Sequence, residues 1–359
     1  MSKVNLERIN KLRDRICAIT PQGSVVLMEV CGTHTATIAR SGIRQMLPKN
    51  VRLISGPGCP VCVTSAADID LAIEFSKLPG AILTSFGDMI RVPGASASLS
   101  QARARGSDVR VVYSVYDALS IAEANPQKQV VFESVGFETT APSVADAIME
   151  AKARRLDNFS VLCMNKTVPE ALRALLDMGE VKIDGFILPG HVSAIIGMKP
   201  YEFLPAEYGI GGVISGFEAE DVLLSVAALL KQVSGGVKKI ENQYSRVVKY
   251  EGNKAAVAAM YEVFEPCDAF WRGIGLIPGS GLRIKYAYCE YDAQKRFDIK
   301  VSDSKEPPGC RCGDVLRGVI EPGECPLFGR ACTPDNPVGP CMVSSEGSCG
   351  IWYKERKPA

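Results

Sequence analysis

Short apolar runs alternate with amphipathic stretches between about residues 23 and 235. The segments between the runs have the 3.6-residue periodicity of helices, so each predicted strand is followed by a predicted helix. The runs are apolar on both faces, which is typical of strands that are covered by helices on both sides. The eight runs that we predict as β-strands are SVVLMEV, VRLIS, AILTSF, VRVVYSV, QVVFESV, FSVLCMN, IDGFILP and GGVISG. This pattern predicts an α/β fold with parallel sheets flanked by helices.

The eight predicted strands form two similar sets of four. SVVLMEV-CGTHTATIA resembles QVVFESV-GFETTAPSVA at an offset of about 105 residues, and AILTSFGDM and VRVVYSVYDALSIA match IDGFILPGHV and GGVISGFEAEDVLLSVA. We infer a tandem duplication. It predicts two similar domains, residues 23–127 as α/β domain I and residues 128–235 as α/β domain II, each with its own parallel sheet.

The two ends of the chain follow other patterns. The pattern of charged and apolar positions in residues 1–22 predicts a helix, which we expect to pack on a third domain. Residues 237–267 read as helical, and WRGIGLIPGSGLRI after them reads as loop-rich. The tail from Pro307 to Gly350 is dense in Cys, Gly and Pro and has little apolar material for a core of its own. We therefore expect residues 236–359 to form a helical, Cys-rich domain III around a metal centre.

Composition narrows the functional classes. The chain has 359 residues and a formal net charge of +1, so no basic surface indicates nucleic acid or an anionic membrane. No apolar run approaches the ~20 residues of a membrane-spanning helix. The N-terminal segment lacks the apolar region and cleavage site of a signal peptide. We expect a cytoplasmic protein.

Thirteen cysteines are many for a reducing compartment, where they indicate metal or redox chemistry. Cys31, Cys59 and Cys62 lie near the start of the chain. Six more lie in the tail: Cys310, Cys312, Cys325, Cys332, Cys341 and Cys349. The four scattered ones, which we expect to be small buried hydrophobic residues, are Cys17, Cys163, Cys267 and Cys289.

The unusual motifs follow the predicted strands directly. CGTH, GPGCPVC and FGDM come after the first three strands, and GFETT and PGHVS follow strands of the second unit. Ligands of open parallel sheets bind at the carboxyl ends of the strands, so these loops should meet in one cleft if the two units face each other. The chain has two histidines, His34 and His191, and both lie in these loops. Proton transfer or ligand orientation are the roles we predict for them.

Cys31 precedes a predicted helix, whose N-terminus lowers the pKa of a thiol and favours the metal-binding thiolate. Adjacent parallel strands lie ~4.8 Å apart, so the sulfurs of Cys31, Cys59 and Cys62 are able to reach one ion. The C-x-x-C pair fits a redox disulfide of thioredoxin type equally well, and an oxidised pair is compatible with a metal-free resting form. The sequence leaves these alternatives open.

GFETT and FGDM place further polar groups in the predicted cleft. Glu138, Thr139 and Thr140 are able to hold a polar ligand or form a proton path opposite Cys31, although a threonine here also fits a helix cap. Asp88 has the same two interpretations. The glycines of GPGCPVC allow a close backbone approach, but no phosphate-binding or dinucleotide-binding motif occurs.

The six tail cysteines favour an iron–sulfur cluster over zinc, because they lack the paired C-x-x-C knuckles of zinc sites. A cubane cluster takes four thiolates, which leaves two cysteines for a redox pair. Spacing alone does not select the four.

The motifs CGTHT, GPGCPVC, GFETT, PGHVS and CTPDNPVGPCMVSSEG together closely resemble the HypD family of hydrogenase maturation proteins, over essentially the whole chain. The resemblance implies two similar α/β domains and a third domain with a [4Fe–4S] cluster. It implies assembly of the Fe(CN)2CO unit of [NiFe]-hydrogenases, a HypC-type chaperone and a HypE-type cyanide donor as partners, and a redox-active scaffold more than a turnover enzyme.

The resemblance also assigns residues. The iron would be held by Cys31, Cys59 and Cys62, with His34, His191 and Glu138 orienting ligands or moving protons. The family spacing selects Cys310, Cys325, Cys332 and Cys349 as cluster ligands. Cys312 and Cys341 then remain as a redox pair near the cluster. Two competing hypotheses are a thiol–disulfide oxidoreductase of ferredoxin:thioredoxin reductase type and an α/β binding protein with a structural zinc domain.

Overall fold

Eleven β-strands occur in the part of the chain that the computed structural model describes, namely residues 3–95, 97–299, 301 and 304–355, with side chains from Glu7 onward. They are β1 Val25–Glu29, β2 Val51–Ser55, β3 Ala81–Ser85, β4 Val109–Val111, β5 Gln129–Ser134, β6 Phe159–Cys163, β7 Gly185–Pro189, β8 Gly211–Ser215, β9 Ile240–Asn242, β10 Phe264–Trp271 and β11 Gly275–Ile284. All eight predicted strands are confirmed. Every residue of β3, β7 and β8 is buried, as expected of strands with both faces covered.

Helices connect the strands and cover the sheets. The α-helices in the described ranges are α1 Lys3–Ile19, α2 Gly32–Arg40, α3 Ile43–Met46, α4 Pro60–Val63, α5 Ala66–Ser76, α6 Leu99–Ala104, α7 Val115–Ala124, α8 Ala141–Arg154, α9 Val168–Met178, α10 Gly190–Ile196, α11 Phe203–Tyr208, α12 Ala219–Gly235, α13 Lys254–Val263, α14 Ala293–Arg296, α15 Cys312–Leu316, α16 Pro340–Val343 and α17 Ser348–Glu355. Short 3₁₀ helices span Met89–Arg91, Lys199–Tyr201, Tyr286–Tyr291 and Pro322–Glu324. None of these helices is both long and apolar enough to cross a membrane.

The strands form two parallel sheets and one hairpin. Sheet A has the order β2-β1-β7-β8-β9, and sheet B has the order β4-β3-β5-β6. Neighbouring strands are parallel throughout both sheets. β10 and β11 pair antiparallel to each other. The fold is therefore α/β with two parallel sheets, as predicted.

Each sheet combines strands from both predicted units. If β1 to β4 correspond to β5 to β8 in order, the sheet A series β2-β1-β7-β8 becomes β6-β5-β3-β4, which is the series of sheet B. The topology agrees with a duplication in which the two halves exchange their last two strands. The prediction that residues 23–127 and 128–235 each close a sheet of their own is wrong, because β3 pairs with β5 and β1 pairs with β7.

Two predictions for the chain ends are also wrong. The N-terminal helix α1 does not pack on the Cys-rich tail; Ile9, Leu12 and Ile16 are buried against sheet A and α12 instead. The predicted helical and loop-rich segments contain α13 but also β9 and the β10–β11 hairpin. Between the buried ends Phe264 and Trp271, partly buried side chains of β10 alternate with exposed ones, which suits a hairpin with one face towards the protein.

Loops from the carboxyl ends of both sheets meet in one buried core. It joins the loop after β2, the loop after β5, the hairpin tip and the tail, through Cys59, Cys62, Phe137, Trp271, Cys312 and Cys341. The Trp271 ring stacks on Phe137 with 5.7 Å between ring centroids. The predicted convergence of strand-end loops is therefore present in the fold.

Candidate functional site

Cys31 lies at the start of α2, directly after β1, and is buried. The GPGCPVC loop packs against it: Gly32 N donates a hydrogen bond to Gly58 O at 3.3 Å. A Cβ atom on Gly58 would lie 2.2 Å from Cys31 N, so only glycine permits this approach. The glycine that sequence analysis assigned to a close backbone approach thus brings two protein loops together.

Glu29, the last residue of β1, is a site residue that the motifs did not indicate. It is fully buried, accepts a hydrogen bond from Cys31 N at 3.1 Å and accepts another from the Thr35 hydroxyl at 2.5 Å. Burial raises its pKa to about 7, against smaller effects of these hydrogen bonds. A glutamate inside an apolar strand was the available signal.

The thiol of Cys31 does not have the lowered pKa that its place at a helix start predicted. Burial, followed by the nearby carboxylate of Glu346, raises its pKa to about 12. Backbone N–H groups of His34 and Thr33 favour the thiolate but are outweighed. Cys31 is therefore a protonated thiol in this arrangement, because desolvation is stronger than the helix terminus.

Cys59 and Cys62 form a disulfide with 5.3 Å between their Cα atoms. Cys59 precedes α4, and its sulfur accepts a hydrogen bond from Cys62 N at 3.2 Å. Both residues are buried, so the bond lies inside the central core. Of the alternatives left open by the sequence, the structure contains the oxidised pair.

The two histidines share one aromatic partner, Phe217 in the loop after β8. The ring centroids of His34 and His191 lie 4.9 Å and 3.8 Å from that of Phe217. His34 is fully buried and its Nε2 lies 3.0 Å from Gly216 O, to which the neutral ring donates, while Nδ1 has no hydrogen-bond partner among the residues that the structure describes. Burial lowers the pKa of His34 to about 4 and also lowers that of His191. Both rings are neutral near pH 7.

Glu138 lies in the loop after β5 and is buried. Its Oε1 accepts a hydrogen bond from Val168 N at 3.0 Å, and its Oε2 has no hydrogen-bond partner in the described part of the chain. Burial raises its pKa to about 7. Thr140 precedes α8 without capping it by its side chain, and its hydroxyl donates to Phe137 O at 3.2 Å. Glu138 is therefore positioned to exchange a proton, and Thr140 stabilises the loop.

The tail enters the cleft between the two sheets. Asp88, after β3, accepts hydrogen bonds from the backbone and hydroxyl of Ser345 at 2.9 and 3.1 Å. On the other side the Thr33 hydroxyl donates to Glu346 Oε1 at 3.1 Å, and a Cβ atom on Gly32 would lie 2.3 Å from the Glu346 Cβ. Asp88 thus holds the tail segment against the CGTH loop.

All six tail cysteines line one cavity: Cys310, Cys312, Cys325, Cys332, Cys341 and Cys349. Its remaining walls are apolar, with Leu327, Phe328 and Met342. The sulfurs of Cys312 and Cys341 lie 2.7 Å apart, so these two form a close pair within the set. Both are buried more deeply than Cys310, Cys325 and Cys349.

The Cys59–Cys62 disulfide adjoins this cavity. α4 packs against α15, which begins at Cys312, and against α16, which carries Cys341. The four sulfur-bearing residues belong to one buried core. A continuous series of cysteines therefore leads from the tail cavity to the loop that touches Cys31.

Comparison with known proteins places this arrangement in a family. The sequence model of the HypD family, described as "Hydrogenase formation hypA family", matches residues 7–356. The chain belongs to the HypD family. It is 49% identical over 341 residues to hydrogenase maturation factor HypD2 of Bradyrhizobium diazoefficiens, covering 93% of this chain and 90% of the relative. It is 46% identical to HypD of Rhodobacter capsulatus, covering 99% and 95%, and 48% identical to HypD of Cupriavidus necator, covering 91% and 88%.

The tail cavity of this HypD chain fits the donor set of an iron–sulfur cluster. Its only polar lining atoms from side chains are thiols, and Cys332 Sγ accepts a hydrogen bond from Val338 N at 3.4 Å. No three His, Cys, Asp or Glu side chains in the described ranges are arranged to hold a single ion. A cubane distributes its thiolates over four irons, so its ligands need not meet at one point. Cys31, Cys59 and Cys62, in contrast, do not form a three-thiol iron site in this disulfide state.

Arg272 is a second HypD residue that the sequence did not single out. It lies at the hairpin tip, is almost fully buried, and donates from its backbone N to Val63 O and from Nε to Thr64 O at 2.9 and 2.8 Å. Its guanidinium also pairs with Glu306. Together with hydrogen bonds from Cys310 and Cys341, its charge lowers the pKa of Cys312. Arg272 thus connects the end of α4 to the tail cysteines.

The four scattered cysteines differ from their expected burial. Cys17 is exposed, and Cys163, Cys267 and Cys289 are partly exposed. The prediction of small buried hydrophobic residues is wrong for Cys17, because it lies on the outer face of α1. Cys163 is bound locally, donating to Leu282 O at 3.1 Å.

Proposed function

We propose that this HypD chain is an assembly scaffold in [NiFe]-hydrogenase maturation. An iron is held in the cleft between the two sheets while cyanide and CO ligands are installed on it, with Cys31 and the reduced Cys59 and Cys62 as its thiol ligands. The observation that carries the proposal is the position of the GPGCPVC segment, whose Gly58 contacts Cys31 and whose helix α4 packs against the helices of Cys312 and Cys341. Cyanide and CO are strong-field ligands of low-spin Fe(II), so a source of electrons beside the iron site suits this chemistry.

Thiol–disulfide exchange is the step that this chain's own residues support. The sulfur of Cys312, which has the charge of Arg272 nearby, attacks the Cys59–Cys62 bond and forms a mixed disulfide. The sulfur of Cys341 then attacks the Cys312 sulfur of the mixed disulfide and releases the second thiolate. The products are a Cys312–Cys341 disulfide and two thiols at Cys59 and Cys62. Two electrons pass between the pairs, and the two protons lost by the donor thiols are taken up by the product thiolates.

The remaining tail cysteines complete the proposal. Cys310, Cys325, Cys332 and Cys349 would hold a [4Fe–4S] cluster, which supplies single electrons when it is bound. Cys312 and Cys341 lie in the same cavity and are the pair that would be reduced again. A HypC-type chaperone and a HypE-type cyanide donor are the partners that this role requires.

The groups available for proton transfer in the cleft are a protonated thiol, two carboxyl groups with pKa values near 7 and a neutral imidazole. Cys31 carries its proton at neutral pH and must lose it to bind iron. Glu138 and Glu29 have pKa values near 7 and are able to take up such a proton. Neutral His34 offers the unpartnered Nδ1 as an acceptor. These residues supply the acid–base capacity that ligand installation needs.

An infrared spectrum tests the proposal. The protein is purified anaerobically with its co-purifying small partner from cells that are making hydrogenase. Stretching bands of metal-bound CN and CO are expected in the wild type and should be lost in Cys31→Ala, while the visible absorption of the tail cluster remains. Cys17→Ala is the matched control, because Cys17 is exposed on α1. Bands that persist in Cys31→Ala would show that the iron is held elsewhere.

The second candidate function is an iron–sulfur thiol–disulfide oxidoreductase of ferredoxin:thioredoxin reductase type. The disulfide beside the tail cysteines favours it. It predicts a brown protein with a full cluster, no iron beyond the cluster and no CN or CO bands. The burial of Cys59 and Cys62 argues against a protein disulfide as its substrate, because an incoming partner does not reach them without opening the core.

A further inference from the structure

Arg272 is a buried arginine at the tip of the β10–β11 hairpin, with 2% of its surface exposed. Its backbone N and its Nε donate hydrogen bonds to Val63 O and Thr64 O at 2.9 and 2.8 Å. These carbonyl groups lie at the end of α4, and Val63 directly follows Cys62. Arg272 therefore fixes the end of the helix that carries one sulfur of the Cys59–Cys62 disulfide.

The next residue of the hairpin tip contacts the tail. A Cβ atom on Gly273 would lie 2.2 Å from the Cα of Gly313, and one on Gly313 would lie 2.7 Å from the Cα of Gly273. Gly313 directly follows Cys312 in α15. Arg317, which follows α15, donates from Nη1 to Gly273 O. The backbone of the tip thus lies directly on the start of the helix that carries Cys312.

The hairpin tip is itself held in place by the residue before Arg272. The ring of Trp271 is fully buried and stacks on Phe137, and its Nε1 donates to the Ser280 hydroxyl at 2.8 Å. The tip is therefore a fixed spacer between α4 and α15. Arg272 is its contact with α4, and Gly273 is its contact with α15.

The guanidinium of Arg272 is not fully satisfied by its partners. It pairs with Glu306, whose side chain is 43% exposed and accepts a hydrogen bond from Ala66 N at 3.2 Å. Its Nη2 is buried and has no hydrogen-bond partner in the described ranges. A buried cation with an unused donor costs stability. Such costs are commonly retained at functional sites, so the position of Arg272 calls for a role beyond packing.

We propose that Arg272 is a positioning residue for disulfide exchange between the Cys59–Cys62 pair and the Cys312–Cys341 pair. This inference rests on the proposed function. The exchange breaks the Cys59–Cys62 bond and forms a Cys312–Cys341 bond. Two electrons pass to Cys59 and Cys62, which also take up the two protons of the donor thiols. The rate depends on how closely the attacking sulfur approaches the bond that it breaks, and Arg272 holds that separation from the α4 side.

Site-resolved thiol labelling tests the role of Arg272. Wild type and Arg272→Met, both starting with the two pairs oxidised, receive dithionite without oxygen and are quenched in acid, denatured and alkylated at successive times. Mass spectrometry of peptides gives the reduced fraction of each pair. In wild type, thiols should appear at Cys312 and Cys341 first and at Cys59 and Cys62 afterwards. In Arg272→Met the first step should be unchanged, and the second should be slower by on the order of tenfold or more.

Glu306→Gln is the matched control. The amide oxygen keeps an acceptor for Ala66 N, and Arg272 keeps both bonds to α4, so the second step should proceed at the wild-type rate. Arg272→Lys places a charged donor of different reach at the same position and should recover part of the rate. It also supplies the measurement if Arg272→Met does not fold. Circular dichroism and thermal unfolding check the fold of each variant.

The outcomes separate this inference from the proposed function. A wild-type rate of the second step in a folded Arg272 variant overturns the positioning role, and a lower unfolding temperature with that rate leaves Arg272 a structural role only. Equal slowing in Glu306→Gln assigns the effect to the ion pair and also overturns the inference. Cys312→Ser tests the exchange itself. If Cys59 and Cys62 are reduced as fast in Cys312→Ser as in wild type, the exchange step of the proposed function fails, and the role of Arg272 with it.

Discussion

Within the described ranges, three carboxyl groups at or just beyond strand ends are buried without a compensating cation in direct contact. Glu29, Glu133 and Glu138 each have a pKa raised to about 7, and burial is the largest cause for all three. Each of them is therefore close to half protonated near neutral pH. Glu29 binds Cys31 N, and Glu138 binds Val168 N in the loop after β5; the proposed function gives both a role in proton transfer. Glu133 lies in β5 and binds the Ser85 hydroxyl, which makes it the better probe of burial alone.

Glu133→Gln should make the stability of the protein less dependent on pH. The unfolded chain ionises near pH 4.5 and the folded one near 7, so the folded state binds more protons between these values. The free energy of unfolding therefore falls as pH rises through this window, by on the order of 3 kcal/mol for this group. Urea unfolding at pH 5 and pH 8 should show a smaller difference for Glu133→Gln than for wild type. The exposed Glu7→Gln should retain the wild-type difference; equal slopes for both variants would mean that Glu133 ionises normally.

At the scale of elements, the cleft depends on loops that pack backbone against backbone. Gly58 lies against the Cys31 backbone and Gly32 against Glu346, so the loops after β1 and β2 and the tail meet without side chains between them. Any Cβ at Gly58 would overlap backbone atoms of Val30 and Cys31 at 2.2 Å, and backbone does not rotate away as a side chain does. The contact fixes α4 and its disulfide relative to Cys31.

Gly58→Ala should therefore destabilise the protein and separate the two loops. The expected cost is roughly 1–3 kcal/mol, typical of overpacking in a well-packed core. Thermal unfolding measures the loss of stability, and the infrared bands of the carried iron should weaken in the same variant. Gly23→Ala is the control, since no atom lies within 4 Å of its added Cβ. A Gly58→Ala protein as stable as Gly23→Ala would contradict the loop contact.

At the scale of the whole molecule, the two halves of the duplicated chain are interlocked. Sheet A takes β1 and β2 from the first half and β7 and β8 from the second, and sheet B takes the complementary strands. Each half alone would retain two pairs of strands with uncovered edges and no complete core. The exchange also brings CGTH, GPGCPVC and PGHVS to one sheet, facing GFETT and FGDM on the other.

A fragment of residues 1–127 should not fold by itself. It lacks β5 and β7, the strands that pair with β3 and β1. Circular dichroism and the dispersion of amide proton signals should indicate an unfolded or aggregating chain. The same measurements on residues 128–359 alone should give the same result. Co-expression of the two pieces is the control, and it should yield a folded complex, because all strand partners are then present. A folded, monomeric 1–127 fragment would contradict the exchange.

The sequence by itself determined the elements and the chemistry available at their ends. Periodicity and apolar runs are local properties, so strands β1 to β8, the motifs that follow them and the Cys-rich tail could be predicted, whereas β9 and the β10–β11 hairpin were missed. Local patterns also predicted that both faces of the strands are covered. The C-x-x-C motif restricted Cys59 and Cys62 to a few kinds of chemistry but did not select one.

Only the tertiary structure decided which strands share a sheet and which groups face each other. Strand pairing joins residues more than 150 positions apart, as for Leu27 and Gly185, and no local pattern encodes it. The protonation of Cys31 depends on burial and on Glu346 from the far end of the chain. The burial of a group and its contacts depend on residues from distant parts of the chain. The protonation state of a site residue and its hydrogen-bond partners are therefore set only in the folded protein.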